Sequence, residues 1–219
     1  MKREVQWNYL KNKVINNLQV AFRECPQCYF SEHDIHSVLY HLTQEQLKQH
    51  GETSQVTLDG YNTSLVHHEY PTPFRCDMQG YKFRRAGEEE RTPKGGLYKR
   101  GHYDLVILNP DFVKKQHTRH SMRKKLQKLR LTLPRLSTQP LIWACEIIYF
   151  PKIKKIPKNA IKIIKQGTLK IKETINCNFC KIGSVYVFTS HSHKEAAQLQ
   201  QQIAQLAERE QIEITYATA

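Results

Sequence analysis

Residues 101–108, GHYDLVIL, and residues 141–150, LIWACEIIYF, are two apolar stretches that each carry one acidic side chain. Their β-branched and aromatic residues predict buried strands, so Asp104 and Glu146 lie where a charge is rarely tolerated. A carboxylate in such a position is expected to pair with a cation or to hold a metal ion. The two acids therefore predict one shared site between neighbouring strands.

The two carboxylates have the chemistry of a site for a hard cation. If their strands are neighbours, Asp104 and Glu146 meet at one edge of the sheet, because side-chain direction alternates along a strand. Together with the backbone carbonyl of Ile147 they offer the oxygen ligands that Mg²⁺ or Mn²⁺ prefers. Such an ion activates water and neutralises charge on a phosphate. A structural interpretation stays open, in which Asp104 caps a turn and Glu146 pairs with a basic neighbour.

Positive charge is concentrated around these strands. The formal net charge is +14, and residues 111–172 hold 17 of the 34 Lys and Arg residues against two acidic ones. A local basic block indicates a polyanionic partner, with DNA the nucleic acid we expect. The alternative is a solvated basic insertion. The residues expected to contact the phosphate backbone are Lys114, Lys115, Arg123, Lys124, Lys125, Lys154, Lys155 and Lys158.

The apolar periodicity predicts one α/β domain over residues 1–219, with a mixed central sheet flanked by helices. Its expected parts are N-terminal helices at 1–50, a core sheet and crossover helix at 63–190 with a basic insertion at 111–140, and a C-terminal helix and strand at 191–219. Ser31 is expected to cap the second helix. The proline-containing YPTPF at 70–74 is expected to end a strand, and residues 75–100 to be a loop or hairpin tip.

Four of the six cysteines form two CxxC pairs, Cys25 with Cys28 and Cys177 with Cys180. This spacing suits zinc, and tertiary contact between the pairs would complete a four-cysteine structural zinc site. Two unrelated pairs, or one redox-sensitive pair, are the alternatives. A zinc-stabilised interaction module that binds an acidic protein would follow from the first interpretation.

The chain carries no segment that predicts export or membrane insertion. Its first residues, MKREVQWNYLKNKV, are too polar for a secretory signal. No apolar run approaches the length of about 18 residues that a membrane span needs. A cytoplasmic location without membrane contact is the expectation.

The order of these motifs resembles the PD-(D/E)XK nuclease superfamily, which has the restriction-endonuclease-like fold. The matching segments are FSEHDIHSVLYHL (30–42), HHEYP (67–71), GHYDLVIL (101–108) and CEI (145–147). The resemblance implies a metal-dependent nuclease, expected to be a DNA endonuclease, with Asp104 and Glu146 as catalytic magnesium ligands. It also implies that Glu69 is an accessory carboxylate and that Glu32 lines the site. Dimers are common in that superfamily, so a homodimer is left open.

The chain departs from the superfamily at one position. The motif Glu-x-Lys would place a lysine at residue 148, where this chain has Ile148. One explanation is that Lys162 or Lys165 of the following helix supplies the missing cation. The other is a site that has lost its chemistry, so that the protein is a catalytically inactive nucleic-acid-binding protein with a nuclease fold.

Overall fold

A mixed β-sheet with helices on both faces forms the centre of the protein. The computed structural model describes residues 2–51, 55–58, 61–77, 82–84, 99–115, 138–152 and 155–219. The strands are β1 (Gln55–Leu58), β2 (Tyr61–Ser64), β3 (Val66–Asp77), β4 (Lys82–Arg84), β5 (Lys99–Leu108), β6 (Leu141–Phe150), β7 (Cys180–Thr189) and β8 (Glu213–Thr218). The helices are α1 (Lys2–Glu24), α2 (Glu32–Gln49), α3 (Pro110–Lys114), α4 (Ala160–Asn176) and α5 (His193–Glu210), with a 3₁₀ turn at Pro26–Cys28.

The sheet has six strands in the order β4-β3-β5-β6-β7-β8. The neighbours from β4 to β6 pair antiparallel, whereas β6, β7 and β8 run parallel. Parallel neighbours need a crossover, which α4 provides between β6 and β7 and α5 between β7 and β8. The hairpin of β1 and β2 is separate from this sheet. The predicted α/β class, with a mixed sheet flanked by helices, is confirmed.

Strand β6 is buried along its whole length because helices cover both of its faces. Trp143 and Ile147 pack in one apolar cluster with Leu39 of α2. On the opposite face, Ile148 packs in a second cluster with Ile164 of α4. Side chains alternate between these two faces, so the residue between Cys145 and Ile147 is directed towards α4. That residue is Glu146, the acid that the sequence placed in a buried strand.

Helix α2 begins at a capping box, as the sequence predicts for Ser31. The carboxylate of Asp34 accepts hydrogen bonds from the backbone N–H groups of Phe30 and Ser31, at 2.9 and 2.7 Å. The Ser31 side chain in turn accepts from the backbone of the third helical residue. This cap fixes the direction of the first turn, in which Glu32 lies.

Strand β3 differs from its prediction. It continues through YPTPF, residues 70–74, so the prediction that these prolines end the strand is wrong. The register of β3 against β5 shifts between Pro71 and Arg75. Prolines are tolerated at such an irregularity, because a missing N–H there breaks no regular ladder bond. The hairpin of β1 and β2 was not predicted. Much of the predicted loop at 75–100, and most of the insertion at 111–140, lie outside the described residues.

Two glycines test how closely α4 packs on the sheet. A Cβ built on Gly183 would lie 2.5 Å from Cγ2 of Ile171, a stiff β-branched side chain. Gly183→Ala is therefore expected to lower the free energy of unfolding by about 1–3 kcal/mol.

A Cβ on Gly167 would meet Glu146 and Ile148 at ordinary distances of 3.5 and 3.6 Å. Gly167→Ala is expected to raise that free energy by about 0.5–1 kcal/mol through helix propensity. Urea denaturation measures both values, and changes of the same sign would contradict this packing.

Candidate metal centre

Strands β5 and β6 part at the two acidic residues. Their regular pairing reaches Leu105 and Cys145, and the same register continued by one residue would place Asp104 opposite Glu146. At this point a side chain replaces the backbone as hydrogen-bond acceptor, because the backbone N–H of Ile147 donates to Oδ2 of Asp104 at 2.5 Å. The structure therefore brings together the two carboxylates that the sequence singled out.

The first two turns of α2 contribute two further groups. Glu32 is the first residue of the helix, and His36 follows four residues later on the same face. Nε2 of His36 lies 3.9 Å from Oε1 of Glu32 and 3.8 Å from Oδ2 of Asp104. One ligand atom from each of these three residues lies within 4.8 Å of the other two. The three side chains can therefore contact the same metal ion.

Helix α4 supplies a cation to the site. Nζ of Lys170 forms an ion pair with Oε2 of Glu146 and donates to the backbone carbonyl of His102 at 2.7 Å. Both charged side chains are largely withdrawn from solvent, with 8 % of Glu146 and 14 % of Lys170 exposed. Gly167 lies one turn earlier on the helix, and a Cβ built there would lie 3.5 Å from Cβ of Glu146. Lys170 is thus held between β5 and β6.

Apart from His36, these groups line one cavity of about 320 Å³. Its polar wall contains Glu32, Asp104, Glu146, Gln166 and Lys170. Ile148, at the position where the superfamily motif has lysine, is 7 % exposed and forms part of the apolar wall. The cavity therefore combines three carboxylates with one ammonium group.

The three carboxylates of this half-buried cavity have raised pKa values. Burial, and next the negative charge of Asp104, raise the pKa of Glu32 to about 7. Burial raises the pKa of Asp104 to about 6, against the opposing hydrogen bond from Ile147 and the charge of Lys170. Burial also raises the pKa of Glu146 well above its usual value, although Lys170 acts in the other direction. A cation bound here would relieve the repulsion between these carboxylates.

The residues present fit a divalent metal ion. Burial, and next the charges of His33 and His68, lower the pKa of His36 to about 4, so its imidazole is neutral near pH 7 and keeps a lone pair for a metal. Among the residues that the structure describes, Nε2 of His36 and Oε1 of Glu146 are buried without a hydrogen-bond partner. Buried polar atoms normally have partners, so these two are available as ligands. Imidazole with carboxylates suits Mn²⁺ better than Mg²⁺.

Glu69, the predicted accessory carboxylate, lies on β3 next to the position of Asp104. It falls between the ladder pairs His68–Leu105 and Tyr70–Tyr103, and its φ is 48°. A glutamate in the left-handed region is strained, and such strain concentrates at functional sites. The Glu69 side chain is exposed, and its charge contributes to the raised pKa of Asp104. Glu69 therefore acts on the site electrostatically from its rim.

Lys162 and Lys165 were the predicted substitutes for the missing lysine. The cavity is lined from α4 by Ile163, Gln166, Gly167 and Lys170, and Lys162 is exposed to solvent. Lys165 is half-buried and is not part of that lining. The prediction identified the helix, whereas the residue that reaches Glu146 lies farther along it.

The basic residues expected to contact nucleic acid are divided between the two ends of β6. Lys114 ends α3 and Lys115 directly follows it. Both are exposed, near the end at which Leu108 pairs with Leu141. Lys155 and Lys158 are exposed beyond the other end, roughly 30 Å away at about 3.3 Å per residue of β6. The lysines that the structure describes thus lie near both ends of strand β6. The other predicted contacts, Arg123, Lys124, Lys125 and Lys154, lie outside the described residues.

The predicted zinc site consists of Cys25, Cys28, Cys177 and Cys180. The structure joins Cys25 to Cys28 by a disulfide and leaves the other two as buried thiols, which agrees with the alternative of two unrelated pairs. Cys180 pairs with the first residue of β6. The neighbour of Cys28, Tyr29, instead accepts a hydrogen bond from Tyr149 near the last residue of that strand. A strand length separates the two pairs, so these four residues do not form the predicted zinc site in this structure.

The sequence did not single out His36 and Lys170. For His36 a signal exists, since a histidine four residues after Glu32 lies on the same helical face as that acid. For Lys170 the signal is Gly167, which marks the face of α4 that comes closest to β6, with Lys170 three residues later on the same face. Neither signal is specific without knowledge of which helix faces meet the sheet.

Comparison with known proteins identifies no relative. No protein family, no curated protein and no solved structure matches the chain. None of the helices in the described part of the chain is long and apolar enough to cross a membrane. The candidate metal centre therefore rests on the geometry given above.

The His36 imidazole can be tested as a metal ligand. His36→Ala is expected to weaken Mn²⁺ binding by at least roughly tenfold, because it removes a buried nitrogen ligand. His41→Ala is a matched control, since His41 is exposed on the same helix and pairs with Glu45. Isothermal titration calorimetry measures both affinities. Equal Mn²⁺ affinity of the two variants would exclude His36 as a ligand.

The raised pKa of Asp104 predicts a pH dependence of stability in the absence of metal. The pKa of about 6 means that the folded state retains this proton up to about that pH, whereas the unfolded chain loses it near the ordinary aspartate pKa of 3.8. Wild-type stability contributed by this group is therefore present below pH 4 and lost as the pH rises through 6. Asp104→Asn should gain stability relative to wild type over that range, by about 3 kcal/mol, since the shift spans about two pKa units and each unit is about 1.4 kcal/mol.

Urea unfolding in EDTA at pH 4, 5, 6 and 7 measures this difference. Asp111→Asn is the control for the loss of one carboxylate, because Asp111 is exposed and does not line the cavity. Saturating Mn²⁺ should reverse the order and make wild type the more stable protein at pH 7, because ligand bound to the folded state stabilises it. A pH-independent difference between Asp104→Asn and wild type would contradict the buried position of this acid.

Proposed function

We propose that the protein is a metal-dependent nuclease of the restriction-endonuclease-like class that hydrolyses phosphodiester bonds in DNA. The single observation that carries this proposal is the position of Asp104 beside Glu146, where β5 and β6 part. Carboxylates from two adjacent strands, joined by Glu32 from a capped helix, can hold an ion against a phosphate. The resemblance to the PD-(D/E)XK superfamily agrees with this arrangement.

The ion is assigned to Asp104, Glu32 and His36, whose ligand atoms are already close to one another. Glu146 lines the same cavity with one carboxylate oxygen that lacks a partner among the described residues. When bound, the ion would lower the pKa of a water molecule and neutralise charge on the scissile phosphate. The protein itself provides the fixed carboxylates, a neutral imidazole and a cavity partly closed to solvent.

Lys170 is the group we assign to the role of the missing lysine. Ile148 can neither donate a hydrogen bond nor stabilise negative charge, whereas Lys170 places an ammonium group against Glu146 from the facing helix. From there it donates hydrogen bonds and stabilises charge that develops on the substrate. The contact with the His102 carbonyl holds its position.

DNA is the expected substrate because the charge of the chain favours a polyanion. Exposed lysines lie beyond both ends of β6, at Lys114 and Lys115 and at Lys155 and Lys158. Such contacts attract and orient the phosphate backbone without reading its sequence. The acidic cavity lies between these two groups, so a bound backbone would pass close to it.

An inactive nucleic-acid-binding protein is the second candidate, and one observation favours it. The ammonium of Lys170 is already occupied by Glu146 and by the His102 carbonyl, which reduces its capacity to act on a substrate. Under this proposal the buried pair only stabilises the contact between α4 and β6. The two candidates differ in whether Asp104 and Lys170 are required for turnover.

The test is cleavage of plasmid and oligonucleotide DNA with Mn²⁺ or Mg²⁺. Asp104→Asn is expected to abolish cleavage, and Lys170→Met to reduce it by roughly 10²- to 10³-fold, the usual effect of removing one charge-stabilising donor. Lys162→Met is the matched control on the same helix. Lys162 is exposed and lies outside the cavity, so a change of about twofold or less is expected.

The outcomes separate the two candidates. Metal-dependent cutting that is lost in Asp104→Asn and weakened in Lys170→Met supports the nuclease. Equal loss in Lys162→Met and Lys170→Met would contradict the role of Lys170. No cutting by wild type, with DNA binding that survives Asp104→Asn, would show that the protein acts by binding alone.

A further inference from the structure

Three cavities lie side by side around the carboxyl end of β6. The first is the acidic cavity of about 320 Å³. The second, of about 310 Å³, shares Glu32, Ile148 and Ile163 with it. The third, of about 420 Å³, shares Tyr149 and Pro151 with the second. We call the second and third cavities together the β6 groove. The second shares part of its wall with the candidate metal centre, and the third is lined by Phe30.

Phe30 is the feature of the β6 groove that packing does not explain. Its side chain is 75 % exposed and lines the third cavity, whose wall is largely apolar. Phe30 directly precedes the cap residue of α2, where an apolar side chain commonly packs on the fourth helical residue. That residue, Ile35, is fully buried, while Phe30 leaves three quarters of its surface to solvent. The ring is therefore free to contact a ligand.

Cations border the same groove. Lys155 lines the second cavity and Lys152 the third, and both are exposed. An exposed aromatic ring beside lysines is the combination that binds an unpaired nucleic-acid strand, since bases stack on the ring while phosphates contact the ammonium groups. An acidic ligand without aromatic groups would use the lysines and leave the ring unused.

We propose that the β6 groove binds one unpaired strand of nucleic acid, with a base stacked on Phe30 and phosphates held by Lys152 and Lys155. Bases inside a duplex are covered on both faces by their neighbours, so Phe30 can stack only on a base that is unpaired or displaced from the helix. This inference deepens the proposed nuclease function and rests on it for the role of the adjoining acidic cavity. It assigns single-stranded segments, or the strand ends of a duplex, as the substrate class.

The test is the affinity of the full-length protein for labelled oligonucleotides, measured by fluorescence anisotropy in EDTA so that no cutting occurs. Single-stranded DNA, single-stranded RNA and blunt duplex DNA of equal length are compared. Wild type is expected to bind a single strand more tightly than the duplex, and the DNA and RNA arms identify which strand is preferred. Phe30→Ala should weaken single-strand binding by roughly 5- to 100-fold, the usual effect of losing one base–aromatic stack.

Two control variants separate stacking from general damage, and two lysine variants test the phosphate contacts. Phe30→Trp should keep the affinity of wild type because it retains an aromatic face. Tyr9→Ala removes another exposed aromatic, 56 % exposed on α1 and outside the lining of the β6 groove, and should change nothing. Lys152→Gln and Lys155→Gln should each reduce the dependence of log K on log salt by about 0.7, the value for one phosphate contact on a single strand. Thermal unfolding of each variant establishes that it is folded.

Different experimental results would contradict the groove proposal and the nuclease proposal. If Asp104→Asn abolishes cutting but Phe30→Ala binds single strands like wild type, the groove inference is overturned and the nuclease stands. If Phe30→Ala weakens single-strand binding and no metal-dependent cutting is found, the groove stands and the nuclease does not. Tighter binding of the duplex than of either single strand overturns the groove inference, as does a loss in Tyr9→Ala equal to that in Phe30→Ala. Displacement by an apolar peptide, but not by unlabelled single strands, would also overturn it.

Discussion

The repulsion between three carboxylates in one half-buried cavity is the constraint on which the rest of the site depends. Glu32, Asp104 and Glu146 each have a raised pKa, for which burial is the first cause. Each also receives compensation from a different element. Glu32 lies in the first turn of a helix, where the dipole favours negative charge. Asp104 accepts the Ile147 N–H, and Glu146 pairs with Lys170. Within this site, Oε1 of Glu146 and Nε2 of the adjoining His36 are buried without a hydrogen-bond partner, so the compensation is incomplete there.

The acids could be found from the sequence because the signal is local. A charge within an apolar strand is unusual wherever that strand lies in the sheet, and Asp104 and Glu146 both satisfy this description. The α/β class with a mixed sheet followed from periodicity in the same way, whereas the hairpin of β1 and β2 did not. His36 and Lys170 could not be found because ordinary histidines and lysines on amphipathic helices look alike until packing selects one face. The choice of Lys170 over Lys162 depends on how Gly167 meets β6, which is a tertiary fact.

The errors in the fold have a similar origin. Pro71 and Pro73 are breakers on local grounds, yet β3 continues through both of them. The register shift after Pro71 supplies an irregular stretch in which a missing donor is tolerated, and a register is not visible in one sequence. The cysteine pairs show the reverse case. Their spacing was locally suggestive, but the length of β6 keeps them apart, so a correct local pattern led to a wrong tertiary contact.

The isoleucine at position 148 has a different meaning once the whole site is considered. A lysine there would extend from β6 into the cavity, alongside Glu146 on the same face of the strand. With Lys170 entering from α4, the strand position is free to be apolar, and Ile148 lines both the acidic cavity and the adjoining part of the β6 groove. With isoleucine at position 148, the positive charge and the apolar wall of the cavity come from two different elements. The helix supplies the charge, held by the His102 carbonyl, and the strand supplies an apolar wall shared by the candidate metal centre and the second cavity. An active enzyme and an inactive binder would both retain that wall, but only the enzyme requires Lys170 to remain beside Glu146.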